Sequence, residues 1–132
     1  MPDQVVIRIP PSTPHIGLVR ATASALAALQ DFTYDQITDM HIAIDEICSR
    51  IMATSDAPLS RLEVTFELEA GGIRVTACGD SPLKPGARFL NTLSEAILGS
   101  VTNSMEVSTQ GGVACATFHV GRVEGVSRAE HA

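Results

Sequence analysis

The sequence predicts an α/β two-layer sandwich, with a mixed, mostly antiparallel β-sheet covered by helices on one face. Five segments alternate apolar and polar residues, as strands with one buried face do. Three other segments repeat apolar residues at intervals of three and four, as helices with one covered face do. Pairs of glycines separate two of the strand pairs and supply tight turns. The predicted order is β-α-α-β-β-α-β-β, which favours two layers around one core.

The first strand and helix are predicted from proline positions and apolar spacing. A strand over residues 4–9 ends at the two prolines that follow it. Thr13 is predicted as a helix N-cap, with Pro14 in the first helical position, and the helix runs to Gln30.

The second helix has the clearest start signal in the chain. Thr33 and Gln36 form a T-x-x-Q capping box, and Phe32 and Ile37 occupy the positions of a hydrophobic staple. The helix should end within residues 54–58. Its buried stripe is predicted to contain Ile37, Met40, Ile44, Ile47 and Ile51.

The second half is predicted to contain two strand pairs and one helix. Strands over residues 61–69 and 73–77 flank a turn, and another pair lies near residues 105–109 and 113–120. Residues 79–86 are rich in glycine and proline and should form a loop.

A third helix is predicted from Ala87 to Leu98. Phe89, Leu93 and Ile97 lie on its inner side, and Gly99 is its expected C-cap. One domain over residues 1–121 and a flexible tail over residues 122–132 complete the expected organisation.

Composition limits the classes of function. The chain has 132 residues, a formal net charge of -6 and a pI of about 5.0. A direct nucleic-acid role is therefore not expected, and the charge favours a basic protein partner. No membrane span or signal peptide is expected, which predicts a cytoplasmic protein.

The cysteines and histidines do not predict a metal site. Cys48, Cys78 and Cys115 have no metal-like spacing, and their number is odd. Reduced, buried thiols are expected in a cytosolic chain. The four histidines form no i,i+4 ligand pair.

The second helix carries the residues with most chemical content. Ala43, Glu46 and Arg50 are spaced at intervals of three and four and lie on one side of the helix, beside the isoleucine stripe. From the residues alone, Glu46 and Arg50 can also be an exposed i,i+4 ion pair that stabilises the helix by about 0.2–0.5 kcal/mol.

The segment AIDEICSRI, from Ala43 to Ile51, resembles the N-box of the RsbW-type anti-sigma kinases. These belong to the histidine-kinase, gyrase and Hsp90-like (GHKL) ATPase superfamily, whose domain has the Bergerat fold. The resemblance extends over roughly residues 5–120, with the same order of elements. It is closest to the actinobacterial and mycobacterial anti-sigma-F branch.

The resemblance implies a nucleotide site with altered residues. Glu46 falls on the position of the general base. Arg50 replaces the Asn that ligates Mg²⁺, although arginine has only donors. Ala77 replaces the Asp that accepts from the adenine amino group, and Gly79 is the glycine of that motif. Asp80 lies nearby but out of register.

The glycine-rich lid of the family is reduced here to Gly86, followed by Arg88, Phe89 and Leu90. These changes imply weak or absent ATP or ADP binding, with little dependence on Mg²⁺. Loss of the adenine acceptor alone costs about 1–3 kcal/mol.

The function implied by the resemblance is that of an anti-sigma factor. Such a protein binds an alternative, stress- or sporulation-type sigma factor and is released by a STAS-domain anti-anti-sigma protein; many members are homodimers. Two alternatives remain open. One is an active serine kinase in which Arg50 and Asp80 assume the missing roles, and the other is an unrelated small α+β regulatory binding module.

Overall fold

The computed structural model describes residues 3–121, so the predicted tail over residues 122–132 lies outside the described residues. The elements are β1 (Asp3–Ile9), α1 (Thr13–Leu29), α2 (Tyr34–Thr54), β2 (Leu62–Glu69), β3 (Gly72–Cys78), α3 (Thr92–Val101), β4 (Ser104–Gln110) and β5 (Val113–Gly121). This is the predicted order of elements. No helix among the described residues is long and apolar enough to cross a membrane.

The five strands form one sheet in the order β1-β2-β3-β5-β4, and all four neighbouring pairs are antiparallel. The prediction of a mostly antiparallel sheet is confirmed, and no parallel pair occurs within residues 3–121. In the register of the sheet, Val64 on β2 lies opposite Ala77 on β3, which in turn lies opposite Ala116 on β5. These three side chains are buried, and so are their counterparts two residues along each strand.

The helices cover one face of this sheet. α1 packs on β1 and β2, α2 packs on β3 and β5, and the two helices also contact each other. The opposite face carries polar side chains such as Glu63, Thr76 and Thr117, which are only half-buried. The core therefore lies in one layer, between the helices and the apolar face of the sheet.

The starts of the first two helices differ in how well the sequence predicts them. The capping box of α2 is confirmed, because the Thr33 hydroxyl accepts from the Gln36 amide and the Gln36 side chain accepts from the Thr33 amide. For α1 the predicted N-cap is wrong by one residue. Ser12 is the N-cap, and Thr13 already has helical geometry. A proline is tolerated anywhere in the first turn, so Pro14 does not fix the starting residue.

The predicted start of the third helix is wrong by five residues. α3 begins at Thr92, where Asn91 and Ser94 form a capping box through their side chains and backbone amides. Leu93 was expected on the inner side but is 69% exposed, whereas Leu98 is 1% exposed.

The predicted end of α3 is also wrong. Gly99 lies inside the helix, and Thr102 is the C-cap. Phe89 is buried as predicted, but it precedes the helix. An N-cap at Asn91 places Ser94 and Leu98 on the buried side, four residues apart.

The expectation of three reduced cysteines is also wrong. Cys48 is free and fully buried on α2. Cys78 and Cys115, at opposed positions on β3 and β5, form a disulfide. The spacing of the cysteines could not indicate this pair, because the strand register that joins them is set by the whole sheet.

The geometry of α3 predicts a large effect for one leucine-to-alanine substitution and a small effect for another. Leu98→Ala should lower the free energy of unfolding by about 2–5 kcal/mol, because it removes a buried side chain from the core. Leu93→Ala, on the exposed side of the same helix, should change it by less than about 0.5 kcal/mol. Urea denaturation of both variants measures this difference. Equal losses would contradict the observed start of α3.

Candidate functional site

The isoleucine stripe of α2 places Glu46 and Arg50 on the flank of the helix. Ile44, Ile47 and Ile51 are at most 3% exposed and pack in the core. Glu46 and Arg50 are half-buried. Their backbone is rigidly positioned, because the same helix is anchored by its capping box and its apolar face.

Arg50 is bound to the segment that precedes α3. Its Nε donates to the carbonyl oxygen of Phe89 at 2.6 Å, and its Nη2 donates to the carbonyl oxygen of Arg88 at 2.9 Å. The Phe89 side chain is 6% exposed and belongs to the core. We call these two hydrogen bonds the Arg50 contact. They hold residues 88–89 against α2.

Glu46 does not pair with Arg50. Within residues 3–121 no ion pair involves Glu46, and the guanidinium of Arg50 donates to backbone carbonyls instead. The exposed i,i+4 pair considered from the sequence is therefore not formed. Arg50 joins α2 to the segment before α3, and Glu46 remains without an ionic partner among the described residues.

We call residues 79–91 the connecting segment. Before it reaches the Arg50 contact, this segment also forms hydrogen bonds with the C-terminal end of α2 and the residues that follow it. The Lys84 amide donates to the Thr54 carbonyl at 2.8 Å, and the Asp56 amide donates to the Pro82 carbonyl at 2.8 Å. Ser55 and Leu83 form an isolated β-bridge between these two bonds. Backbone hydrogen bonds therefore hold the connecting segment at residues 82–84, and the Arg50 contact holds it at residues 88–89.

Gly86 lies in a turn of this segment. The Ala87 amide donates to the Lys84 carbonyl at 2.9 Å, and Pro85 and Gly86 occupy the two central positions. Gly86 has a φ of 75°. Proline followed by a glycine with positive φ is typical of a type II turn. The turn alone therefore accounts for a glycine at this position.

Ala77 and Gly79 lie at the end of β3 on the side of α2. The Ala77 side chain is 3% exposed and has no hydrogen-bonding atom. A Cβ atom built on Gly79 would be 2.8 Å from Cγ2 of Ile51 and 2.7 Å from Cδ2 of Leu59. Gly79 thus packs closely against α2 and against the residues that precede β2, and a larger residue would require the side chains of Ile51 and Leu59 to shift.

The Asp80 carboxylate is bound by the residues that precede β2. Its carboxylate accepts a hydrogen bond from the Ser60 hydroxyl and from the backbone amides of Ser60 and Arg61, at 3.0 and 3.4 Å respectively. The Ser60 hydroxyl is the main cause that lowers the pKa of Asp80, and the two amides and the charge of Arg61 act in the same direction. The carboxylate is thus engaged at the start of β2.

The described residues do not fit a Mg²⁺ ion at the N-box. Arg50 offers only donors, and two of them already bind carbonyl oxygens. Ala77 offers no acceptor for an adenine amino group. No cluster of three or more His, Cys, Asp or Glu side chains suited to a metal ion occurs in the part of the chain that the structure describes.

Two hollows on the surface lie elsewhere. One, of about 250 Å³, includes Arg74, Glu106 and His119 on the strands. The other, of about 320 Å³, lies between Pro11 and the residues that follow α2. Neither is lined by any of the site residues predicted from the sequence, which are Glu46, Arg50, Ala77, Gly79, Asp80 and Gly86.

Comparison with solved structures places this fold beside an RsbW domain. The crystal structure of the RsbU and RsbW domains of Rv1364c from Mycobacterium tuberculosis superposes with a TM-score of 0.72 over 92% of this chain and 33% of that chain. The two sequences are 16% identical, so this likeness shows the fold alone. The predicted histidine-kinase-like sandwich agrees with it.

Sequence comparison finds similarity to RsbW proteins. A stretch of 66 residues is 33% identical to the serine-protein kinase RsbW of Bacillus velezensis. A stretch of 47 residues is 34% identical to the serine-protein kinase RsbW of Bacillus subtilis. These similarities support the RsbW-type family over an unrelated α+β module, whereas the anti-sigma-F branch stays a prediction.

The similarity covers only part of each RsbW protein. The first match spans 48% of this chain and 41% of the Bacillus velezensis kinase, and the second spans 36% of this chain and 29% of the Bacillus subtilis kinase. No protein-family model matches the chain. Because the matches span less than half of each kinase, the similarity does not transfer the activity of the whole kinases to this chain.

The resemblance to the N-box marked Arg50 as an altered position, but the sequence did not predict what Arg50 binds. Its partners are backbone carbonyls, which have no sequence signature. The signals that could have located the segment are Pro85-Gly86, which predicts a turn, and Asn91, which predicts a helix start.

The Arg50 contact can be tested with two arginine variants. Arg50→Ala should lower the free energy of unfolding by about 1–3 kcal/mol, because a charged donor to two carbonyls is lost. It should also speed amide hydrogen exchange in residues 84–91. Arg88→Ala is the matched control, since Arg88 pairs with Glu95 on the exposed surface and should contribute less than about 1 kcal/mol. Unchanged exchange in Arg50→Ala would contradict the contact.

Proposed function

We propose that this RsbW-type chain is an anti-sigma factor that binds and inhibits an alternative sigma factor of the stress or sporulation type. A STAS-domain anti-anti-sigma protein releases the sigma factor by competing for the same chain. The protein acts in the cytoplasm as a homodimer and does not contact nucleic acid directly.

The Arg50 contact is the observation that carries the choice between a binding protein and a kinase. Both hydrogen bonds engage the guanidinium of Arg50 at the position where the resemblance implies a metal ligand. They also hold residues 88–89, which lie where the resemblance implies a glycine-rich lid. Ala77 lacks the acceptor for adenine. We therefore propose that ATP and ADP bind weakly, with little dependence on Mg²⁺, and that Gly79, Asp80 and Gly86 serve structure more than nucleotide recognition.

The proposed partner surface is supported by charge. The chain has a net charge of -6, and Glu46 on α2 and Glu67 and Glu106 on the strands form no ion pair within residues 3–121. An acidic chain of this kind attracts a basic partner and repels nucleic acid. Inhibition of a sigma factor needs only a surface that covers its polymerase-binding face, so it can persist without phosphoryl transfer.

A second candidate is an active serine-protein kinase that phosphorylates the anti-anti-sigma protein. The two Bacillus relatives support it, since both are serine-protein kinases. Glu46 supports it as well, because the side chain at the general-base position is half-buried and without an ion pair in residues 3–121. In this candidate Glu46 activates the attacking hydroxyl of the substrate.

Sigma-directed transcription with purified components tests the proposal. The chain in stoichiometric excess should inhibit transcription by one stress-type sigma factor of its host. Glu46→Ala should retain that inhibition, with a dissociation constant within about threefold of the unsubstituted chain, because binding does not need the general base. Asp45→Ala, at the adjacent exposed position, is the control for a change of surface charge, and it also removes the ion pair of Asp45 with Arg20.

Two outcomes have distinct meanings. Unchanged transcription with every stress-type sigma factor of the host would refute the anti-sigma function. Phosphorylation of a STAS-domain protein by the unsubstituted chain but not by Glu46→Ala would establish the kinase candidate instead.

A further inference from the structure

The uncovered face of the sheet carries a pair of cysteines that the proposed function does not use. Cys78 is the last residue of β3, and Cys115 lies directly opposite on β5. Their Cα atoms are 4.4 Å apart, and their sulfur atoms are bonded. Both residues are half-buried on the face that no helix covers.

The register of the sheet sets this geometry. Opposed residues in an antiparallel pair alternate between close and wide spacing, with Cα atoms about 4.5 or 5.5 Å apart. The cysteines form a close pair. The next close pair on the same face is Thr76 and Thr117, whose hydroxyls are 3.0 Å apart. The backbone therefore holds the two sulfur atoms within bonding reach even when the disulfide is reduced.

The third cysteine cannot compete with this pair. Cys48 is 0% exposed on α2, on the other side of the sheet. Burial raises the pKa of its thiol to about 12, and the charge of Asp45 adds to the shift. A thiol needs its thiolate form to exchange, so Cys48 is unreactive at neutral pH.

We propose that Cys78 and Cys115 form a reversible redox pair, a modification site that exchanges with low-molecular-weight thiols such as glutathione. In reduction, a glutathione thiolate attacks one sulfur atom of the disulfide, and the other sulfur atom leaves as a thiolate that takes up a proton. The thiolate of a second glutathione then attacks the glutathione sulfur of the mixed disulfide. The protein sulfur leaves as a thiolate and takes up a proton. Two thiols are formed on the protein, and one glutathione disulfide is released.

The exchange should affect the stability of the domain, and its effect should be largest at the β3–β5 junction. Cys78 is the last residue of β3, and the next residue, Gly79, begins the connecting segment. A cross-link between residues 37 apart in the sequence restricts the unfolded chain strongly. Oxidation should therefore stabilise the whole domain and hold the start of the connecting segment most firmly. Disulfides in the cytosol are usually transient, as an exchangeable pair requires. The proposal does not depend on the sigma-factor partner.

The experiment titrates free thiols and thermal stability of the full chain in glutathione buffers of different redox ratio. After oxidation, denatured protein should show one free thiol of the three cysteines, and after reduction it should show all three. The midpoint of thermal unfolding should fall by about 10 °C on reduction. Hydrogen exchange should increase most in residues 76–82.

Two variants serve as controls. Cys48→Ala should keep the full redox response, whereas the double variant Cys78→Ser with Cys115→Ser should have one thiol and a midpoint that reductant does not change. Three free thiols at every glutathione ratio would overturn the proposal. A disulfide that persists in excess reduced glutathione would also overturn it, because the pair would then be a permanent cross-link.

Discussion

The contact between the Arg50 guanidinium and the carbonyls of Arg88 and Phe89 is the interaction on which the candidate site depends. It joins the C-terminal half of α2 to residues far along the chain and keeps Phe89 in the core. The helix α3 begins three residues after Phe89, at Thr92, where the capping box of Asn91 and Ser94 starts it. A charged donor on two carbonyls is a strong constraint for a half-buried position.

The same contact bears differently on metal binding and on protein binding. A metal site requires acceptor atoms, and Arg50 has none. A protein-binding surface requires only a stable fold, which the antiparallel sheet and the capped helix α2 provide. The proposed anti-sigma function is therefore compatible with the altered positions Arg50 and Ala77, whereas phosphoryl transfer would need other groups to replace them. Similarity of fold cannot make this distinction, since function resides in the site.

The sequence predicts most of the fold because its strongest signals are local. The Thr33–Gln36 capping box and the alternation of Leu62, Val64 and Phe66 each depend on neighbouring residues only, and the structure contains both. The predicted start of α3 was wrong because Phe89, which is buried before the helix, has the sequence spacing of a buried helical residue. The bonds of Arg50 and the Cys78–Cys115 pair were missed for a different reason. Each joins residues about 40 positions apart, whose proximity only the complete sheet and helix packing determine.

Calorimetric titration of the unsubstituted chain with ATP, with and without Mg²⁺, tests the central claim that the Arg50 contact replaces the metal ligand. We expect weak binding that Mg²⁺ does not strengthen. Arg50→Asn combined with Ala77→Asp should bind ATP more tightly, and Arg50→Asn alone, with its folding checked by circular dichroism, covers the case in which a buried aspartate prevents folding. Low-micromolar binding of ATP by the unsubstituted chain, strengthened by Mg²⁺, would contradict the account.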